Sequence, residues 1–387
     1  MMEENKRTTA PVSSVAADVG QSNNKSNDII SEEAQKDNLY TEKNTEDMQQ
    51  LVRKMQQMQN PNYLHMIGIE DLMDMTFQVR QTVIENLLHK GVYLFAGAPK
   101  IGKSFLVLQI AYAVSTGQAF CGYDVKQGAV LYLALEDQYQ RLQERMARMF
   151  GVESQGELLL AVNAKQIGLG LEGQMEYFLK QYPSAKLIVI DTLQKVREVA
   201  GERYSYANDY DIIGQLKSFA DKHDICILIV HHTRKQPSED SFEMISGTSG
   251  LLGCADGAFL MHKAKRTDNH AVLDIVGRDQ PDQRLHLLRN EETLTWELEK
   301  ADCELWKEPP DPLLEQVAQL VTPEHPVWKG SAAELLQTLD LESNPSGLVK
   351  RLNVRAGRLQ SEFGIRYENI RDRTGSNITF SLELQRM

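Results

Sequence analysis

The sequence is short of the features that mark several large protein classes. Its four cysteines, Cys121, Cys226, Cys254 and Cys303, stand far apart with no C-x-x-C pair. That spacing argues against a disulfide framework or a cysteine-built zinc site and predicts buried thiols in a reducing compartment. No apolar run approaches the ~20 residues that cross a bilayer, and the polar N-terminus lacks the apolar core of a signal peptide. A cytoplasmic protein with no membrane partner is the expectation. Positive charge is in deficit, 42 Lys and Arg against 54 Asp and Glu for a formal net charge of −12. Such a chain does not coat nucleic acid by bulk electrostatics, so any contact with it is local.

What is present falls into blocks. Residues 1–60 are rich in Asn, Gln, Ser, Glu, Lys and Thr, and their single apolar residues follow no period. A stretch like this cannot bury enough surface to offset its ordering entropy, so a disordered tail is expected, with a short helix at 48–58. From Asn60-Pro61 the composition turns globular. At 387 residues, of which 42% are hydrophobic, the chain has room for two folded domains.

The most informative stretch is Gly97-Ala98-Pro99-Lys100-Ile101-Gly102-Lys103-Ser104. It follows the apolar run Val92-Tyr93-Leu94-Phe95-Ala96 and opens into Phe105-Leu106-Val107-Leu108-Gln109-Ile110-Ala111, where apolar residues fall at helical spacing. Strand, G-x-x-x-x-G-K-S, helix is the context a P-loop requires, because the glycines let backbone N–H groups close around phosphate at a helix N-terminus. Lys103 is then placed to reach β and γ phosphates and Ser104 to hold Mg²⁺. The preceding residues 78–88 are expected to flank the adenine.

Three further apolar runs end in polar residues, as buried parallel strands do where open α/β sheets bind ligands. Residues 128–135 end in Glu136-Asp137. Glu136 is a candidate to polarise an attacking water, and Asp137 reads mainly as the cap of a helix over 138–150. Lys186-Leu187-Ile188-Val189-Ile190-Asp191-Thr192 has the Walker B pattern, with Asp191 on Mg²⁺ through water. Residues 225–230 run into His231-His232. Neighbours on a strand face opposite ways, so these two histidines do not chelate one ion, and one of them is instead suited to hydrogen-bond a γ phosphate. Between these runs, the loop at 194–211 mixes Lys195, Arg197 and Arg203 with Tyr204, Tyr206 and Tyr210, a composition that suits either a nucleic-acid contact or a solvated loop. A second loop at 236–250 is acidic. Strands at 257–262, 271–276 and 284–288 lie at hairpin spacing, with Arg278 on the turn between the last two.

This ordered set resembles the RecA-like ATPases, and most closely the RepA-type hexameric replicative helicases and relatives of plasmids, phages and mobile elements. The likeness covers residues 61–298. It implies a RecA-like P-loop NTPase core with a mostly parallel sheet, with ATP and Mg²⁺ as cofactors and nucleotide held by Gly97, Ala98, Pro99, Lys100, Ile101, Gly102, Lys103 and Ser104. Carried over residue by residue, it implies Ser104 and Asp191 at the Mg²⁺ and Lys103 and Glu136 in catalysis. His232, or His231, becomes the γ-phosphate sensor, and Arg278 a finger acting on a neighbouring subunit's nucleotide. The implied partners are further copies of the chain in a ring, expected to be a hexamer, and single-stranded DNA contacted by the loops at 194–211 and 236–250, which would line the ring's channel. ATP-driven DNA translocation in replication of a mobile element is the function implied, with an ATP-switched DNA-binding regulator as the alternative.

The remainder reads as a separate unit. Lys307-Glu308-Pro309-Pro310-Asp311-Pro312 interrupts any regular element. With the ATPase domain drawn at 61–300 and a linker at 301–312, residues 313–387 hold three expected helices, 312–320, 331–338 and 345–359, and a hairpin. That order suggests a winged helix, with Lys350, Arg351, Arg355 and Arg358 on the third helix in the place of a recognition element.

Overall fold

A computed structural model of the chain describes residues 60–64, 66–77, 82–153, 155–197, 206–233, 242, 245, 249–265, 267–278, 280–303, 309–372 and 375–383. The expected N-terminal tail and its helix at 48–58, along with most of the 236–250 loop, lie outside them. The chain divides into two compact units, one up to Asp74 and one from Met75 onward. Of the first, the described regular element is a short helix, α1 (Ile69–Asp74).

The second unit is built on a nine-stranded sheet. Its strands in chain order are β3 (Gly91–Gly97), β4 (Val130–Ala134), β5 (Leu158–Ala161), β6 (Leu187–Asp191), β7 (Cys226–His232), β8 (Gly257–His262), β9 (His270–Gly277), β10 (Gln283–Arg289) and β11 (Trp296–Cys303). A two-stranded ribbon, β1 (Thr82–Ile84) with β2 (Leu88–His89), precedes them. In space the order is β11-β10-β9-β8-β3-β7-β6-β4-β5, parallel from β8 to β5 and antiparallel from β8 to β11. Parallel strands joined by helices are buried on both faces, which is why these segments read as continuous apolar runs. Alternate residues serve opposite layers: Tyr93 and Phe95 belong to one core, Val92, Leu94 and Ala96 to the other. The helices covering the two faces are α2 (Lys103–Thr116), α3 (Tyr139–Phe150), α4 (Leu171–Gln181), α5 (Leu193–Val196), α6 (Tyr206–His223) and α7 (Ser249–Cys254). Mixed α/β architecture around one large, mostly parallel sheet is thus as expected.

Several local expectations are corrected. The three strands expected at hairpin spacing end at β10, but β11 pairs antiparallel with it and runs to Cys303. Its Trp296-Glu297-Leu298-Glu299-Lys300 alternates apolar with charged side chains, the mark of a half-exposed edge. The 82–89 ribbon leads into the start of β3, whereas the P-loop follows its end. Val83, Ile84, Leu87 and Leu88 are buried in the core there, so this described part of the lead-in does not flank an adenine. Asp137 is not the helix cap, because Gln138 holds that position and Asp137 forms ion pairs with Arg141 and Arg145 at 3.3 and 2.8 Å. Arg197 does not lie on a solvated loop either. It is buried in a 2.8 Å ion pair with Asp209 of α6, which ties the end of α5 to that helix.

The C-terminal residues run α8 (Pro312–Leu320), β12 (Val327–Ser331), α9 (Ala332–Thr338), α10 (Pro345–Phe363), β13 (Ile365–Asp372) and β14 (Gly375–Leu382). The strands form a separate sheet ordered β12-β14-β13 over their own apolar core. Helix starts follow local chemistry. Asp311 caps α8 ahead of Pro312, Ser331 and Glu334 form a capping box on α9, and Asn344 caps α10 ahead of Pro345. Most of the basic residues expected to serve DNA from α10 are engaged within the chain. Arg355 pairs with Asp311 at 2.8 Å, Arg358 binds Glu362 and the Pro309 carbonyl, and Arg351 donates to Ser343 Oγ.

Candidate functional site

The carboxyl ends of β3, β7, β6 and β4, neighbours in that order, bring most of the singled-out residues to one place. The P-loop bridges the end of β3 to α2. Its glycines are required by space: a Cβ on Gly97 would lie 2.6 Å from the Met261 carbonyl oxygen and 2.7 Å from Ile101 Cδ1. Gly102 has φ +109, and a Cβ there would meet the Trp296 ring at 2.8 Å. The resulting turn aims the first backbone N–H groups of α2 into the site.

Lys103 is buried, and its ammonium donates to the carbonyls of Gly97 and Ala98 at 2.8 and 2.9 Å. Burial lowers its pKa to about 8, with the negative charges of Asp191 and Glu136 opposing the shift. His232 Nδ1 lies 3.3 Å from the same ammonium. Burial and then the Lys103 charge push the His232 pKa down, which favours a neutral ring able to accept from lysine. The alternation along β7 decides between the two histidines. His231 is buried opposite Ala96, and His232 is the one beside Lys103.

Asp191 ends β6, buried, with its pKa raised by desolvation against hydrogen bonds from Tyr132 and Ser104. The Tyr132 hydroxyl donates to Asp191 Oδ2 at 2.8 Å. Glu136, just beyond β4, accepts from the Thr192 hydroxyl at 3.1 Å. Tyr132 and Thr192 were not found by sequence reasoning. Each sits in an apolar strand or beside a motif acid, and only the pairing of β4 with β6, Ala134 opposite Asp191, shows what their hydroxyls touch. A cradle closed to any Cβ, a buried ammonium and a desolvated carboxylate bonded to the P-loop serine fit a nucleotide phosphate chain with Mg²⁺. Lys103, Ser104 and Asp191 are the residues placed to hold them.

Arg278 is elsewhere. It is exposed, its amide donates to the Asp256 carbonyl, and its guanidinium donates to the Gly253 carbonyl at 2.7 Å. With Lys90, Gly91, Lys217 and Asp224 it lines a cavity at the opposite end of β3. The seven residues of β3 separate it from the P-loop, roughly 20 Å at strand rise, so it does not serve its own P-loop.

Residues 64–238 match the profile of a family described as an AAA domain. DNA repair protein RadA of Streptococcus pneumoniae is 27% identical over 145 residues, and RadA of Helicobacter pylori strain J99 28% over 150, matches that cover 37% and 38% of this chain. The chain spans 30% of the length of these relatives. Among solved structures, an isolated ATPase domain aligns with TM-score 0.45 and 16% identity, covering 54% of this chain and 84% of that one. A DnaB-like replicative helicase described with its interactions with primase aligns with TM-score 0.45 and 17% identity, covering 56% of this chain and 58% of that one. Over its P-loop half the chain is thus similar to AAA-domain proteins and to the RadA proteins.

Proposed function

We propose that this chain hydrolyses ATP, and that hydrolysis drives its movement on single-stranded DNA as a ring of identical subunits. The observation that carries the reading is the convergence of Lys103, Asp191, Glu136 and His232 at the ends of adjacent strands beside the P-loop. In this reading the P-loop amides and Lys103 hold the β and γ phosphates. Ser104 and Asp191 would hold Mg²⁺, which would supply charge neutralisation on the phosphate oxygens. Glu136, steadied by Thr192, takes the place of the residue that orients the attacking water. His232 lies where the loss of a γ phosphate changes its hydrogen bonding, at the foot of the loop that follows β7. Arg278, remote from its own P-loop, reaches a neighbouring copy's nucleotide.

The DNA part is supported by the names of the RadA relatives and by the C-terminal element order. Helix, strand, two helices and a hairpin is the order of a winged helix, and Lys350 stands on its third helix. The same order supports a second reading, an ATP-switched DNA-binding regulator that separates no strands. Replication of a mobile element by a RepA-type helicase is the most specific form of the first reading.

The test is ATP turnover with and without single-stranded DNA beside a strand-displacement assay, with Glu136→Gln as control. The expected outcome is DNA-stimulated turnover with strand displacement. The Glu136→Gln chain should bind ATP and turn it over about 10²–10⁴-fold more slowly. Stimulation without displacement selects the regulator, and no hydrolysis under any condition overturns both.

A further inference from the structure

Beside the P-loop lies a cluster of cations and aromatic rings that the reading above does not use. Phe105 follows Ser104 directly, and the Arg289 guanidinium at the end of β10 lies 4.7 Å from its ring centroid and 5.9 Å from that of Trp296. Trp296 is clamped in place by Gln109 of α2, which donates to its carbonyl at 2.9 Å and accepts from its amide at 2.8 Å. Lys263, just past β8, lies 4.9 Å over the same ring. Arg145 also approaches Phe105, at 4.8 Å, but is paired with Asp137.

Arg289 differs from the other cations. It is half-buried, no carboxylate pairs with it among the described residues, and its buried Nε has no hydrogen-bond partner there. Burial and the neighbouring Arg148 lower its pKa. A desolvated guanidinium without a counter-charge is costly unless something else comes to it.

Sheet order says what comes. The residues placed for the γ phosphate stand on β7, β6 and β4, to one side of β3, whereas Lys263, Arg289 and Trp296 come from β8, β10 and β11 on the other. A nucleotide lying along the P-loop with its terminal phosphate toward the first group extends its nucleoside toward the second. The described lead-in residues 82–89, at the far end of β3, offer nothing to it. We propose that Arg289, backed by Phe105 and Trp296, is the platform on which the aromatic base of the bound nucleoside triphosphate stacks. A planar guanidinium stacks on any aromatic face, so the platform holds purine and pyrimidine nucleotides without reading their edges.

This inference rests on the nucleotide reading above, and its test separates the two. Calorimetric binding of Mg²⁺-ATP and of Mg²⁺-tripolyphosphate, which has phosphates but no base, is measured on the full chain, on Arg289→Ala and on Arg289→Lys. The expected result is ATP affinity about three- to thirtyfold weaker in both variants, with tripolyphosphate affinity unchanged. Unchanged tripolyphosphate binding also shows that a variant is folded, and Arg289→Lys keeps the charge and stem should the alanine variant not fold. Equal losses for both ligands would make Arg289 a phosphate contact and overturn the stacking proposal, as would no loss for either. A wild-type chain that binds neither ligand overturns the nucleotide reading instead.

Discussion

At the scale of single residues, the site is governed by what burial does to charge. Lys103 is held in the protein with its pKa near 8, whereas the unfolded chain leaves it near 10.5. Between those values the folded protein without nucleotide has lost the proton that the unfolded chain keeps, so this group's contribution to stability rises with pH across the window. Binding has the opposite sign. Phosphate favours the ammonium, so ATP binding takes up a proton above pH 8 and affinity falls as pH rises, by up to tenfold per pH unit. Isothermal titration from pH 7 to 9.5 in two buffers of different ionisation enthalpy checks both the slope and the proton uptake. Lys103→Arg, which keeps its charge throughout, should show neither, and a flat wild-type profile would contradict the buried, readily neutralised lysine. The lysine itself is legible in the sequence from its motif. Its altered acidity is not, because it depends on burial in the folded site, opposed by Asp191 and Glu136 brought close from other strands.

At the scale of elements, the P-loop is supported by a strand that sequence reasoning missed. Trp296 opens β11, is fully buried, and packs under Gly102 at the N-terminus of α2. Its amide and carbonyl are locked to Gln109. Trp296→Ala removes the largest fully buried side chain among the described residues and leaves a cavity beneath the phosphate turn. The expected cost is ~3–5 kcal/mol in urea unfolding, together with weakened ATP binding. A variant that loses stability but keeps ATP affinity would show that the turn holds its shape without this prop. The parallel strands of the core were readable from their apolar runs and polar ends. The edge strands β11 and β12 were not, since half-exposed alternation over so few residues resembles a loop with scattered apolar positions.

At the scale of the whole molecule, the separation of Arg278 from its own P-loop means that any role it has at a nucleotide requires a second copy of the chain. Mixing Arg278→Ala subunits with wild type at increasing mole fraction should inhibit ATPase activity more steeply than the fraction of variant present. Each altered subunit then disables a neighbour's site while its own P-loop remains intact, and a ring whose sites turn over in sequence stalls at the first disabled one. A linear decline to the residual activity of the variant alone would count against a trans-acting Arg278 in a ring of coupled sites. Analytical ultracentrifugation with ATP and Mg²⁺ supplies the companion measurement, with an assembled species expected.

The sequence by itself determined the phosphate-binding turn, the acids at the ends of Val130–Ala134 and Leu187–Asp191, and the alternation of helices and buried strands, because each follows from backbone and burial rules acting over a few neighbouring residues. It also placed the three C-terminal helices through their caps and prolines. Tertiary structure alone decided which histidine faces Lys103, that Tyr132 and Thr192 hold the two acids, that Arg197 and the three arginines of Pro345–Phe363 are bound within the chain, and that Arg289 stands against Phe105 and Trp296 beside the P-loop. Those facts depend on which strands become neighbours and on what shares their layer, and sheet order brings together residues up to nearly two hundred positions apart whose proximity no local pattern records.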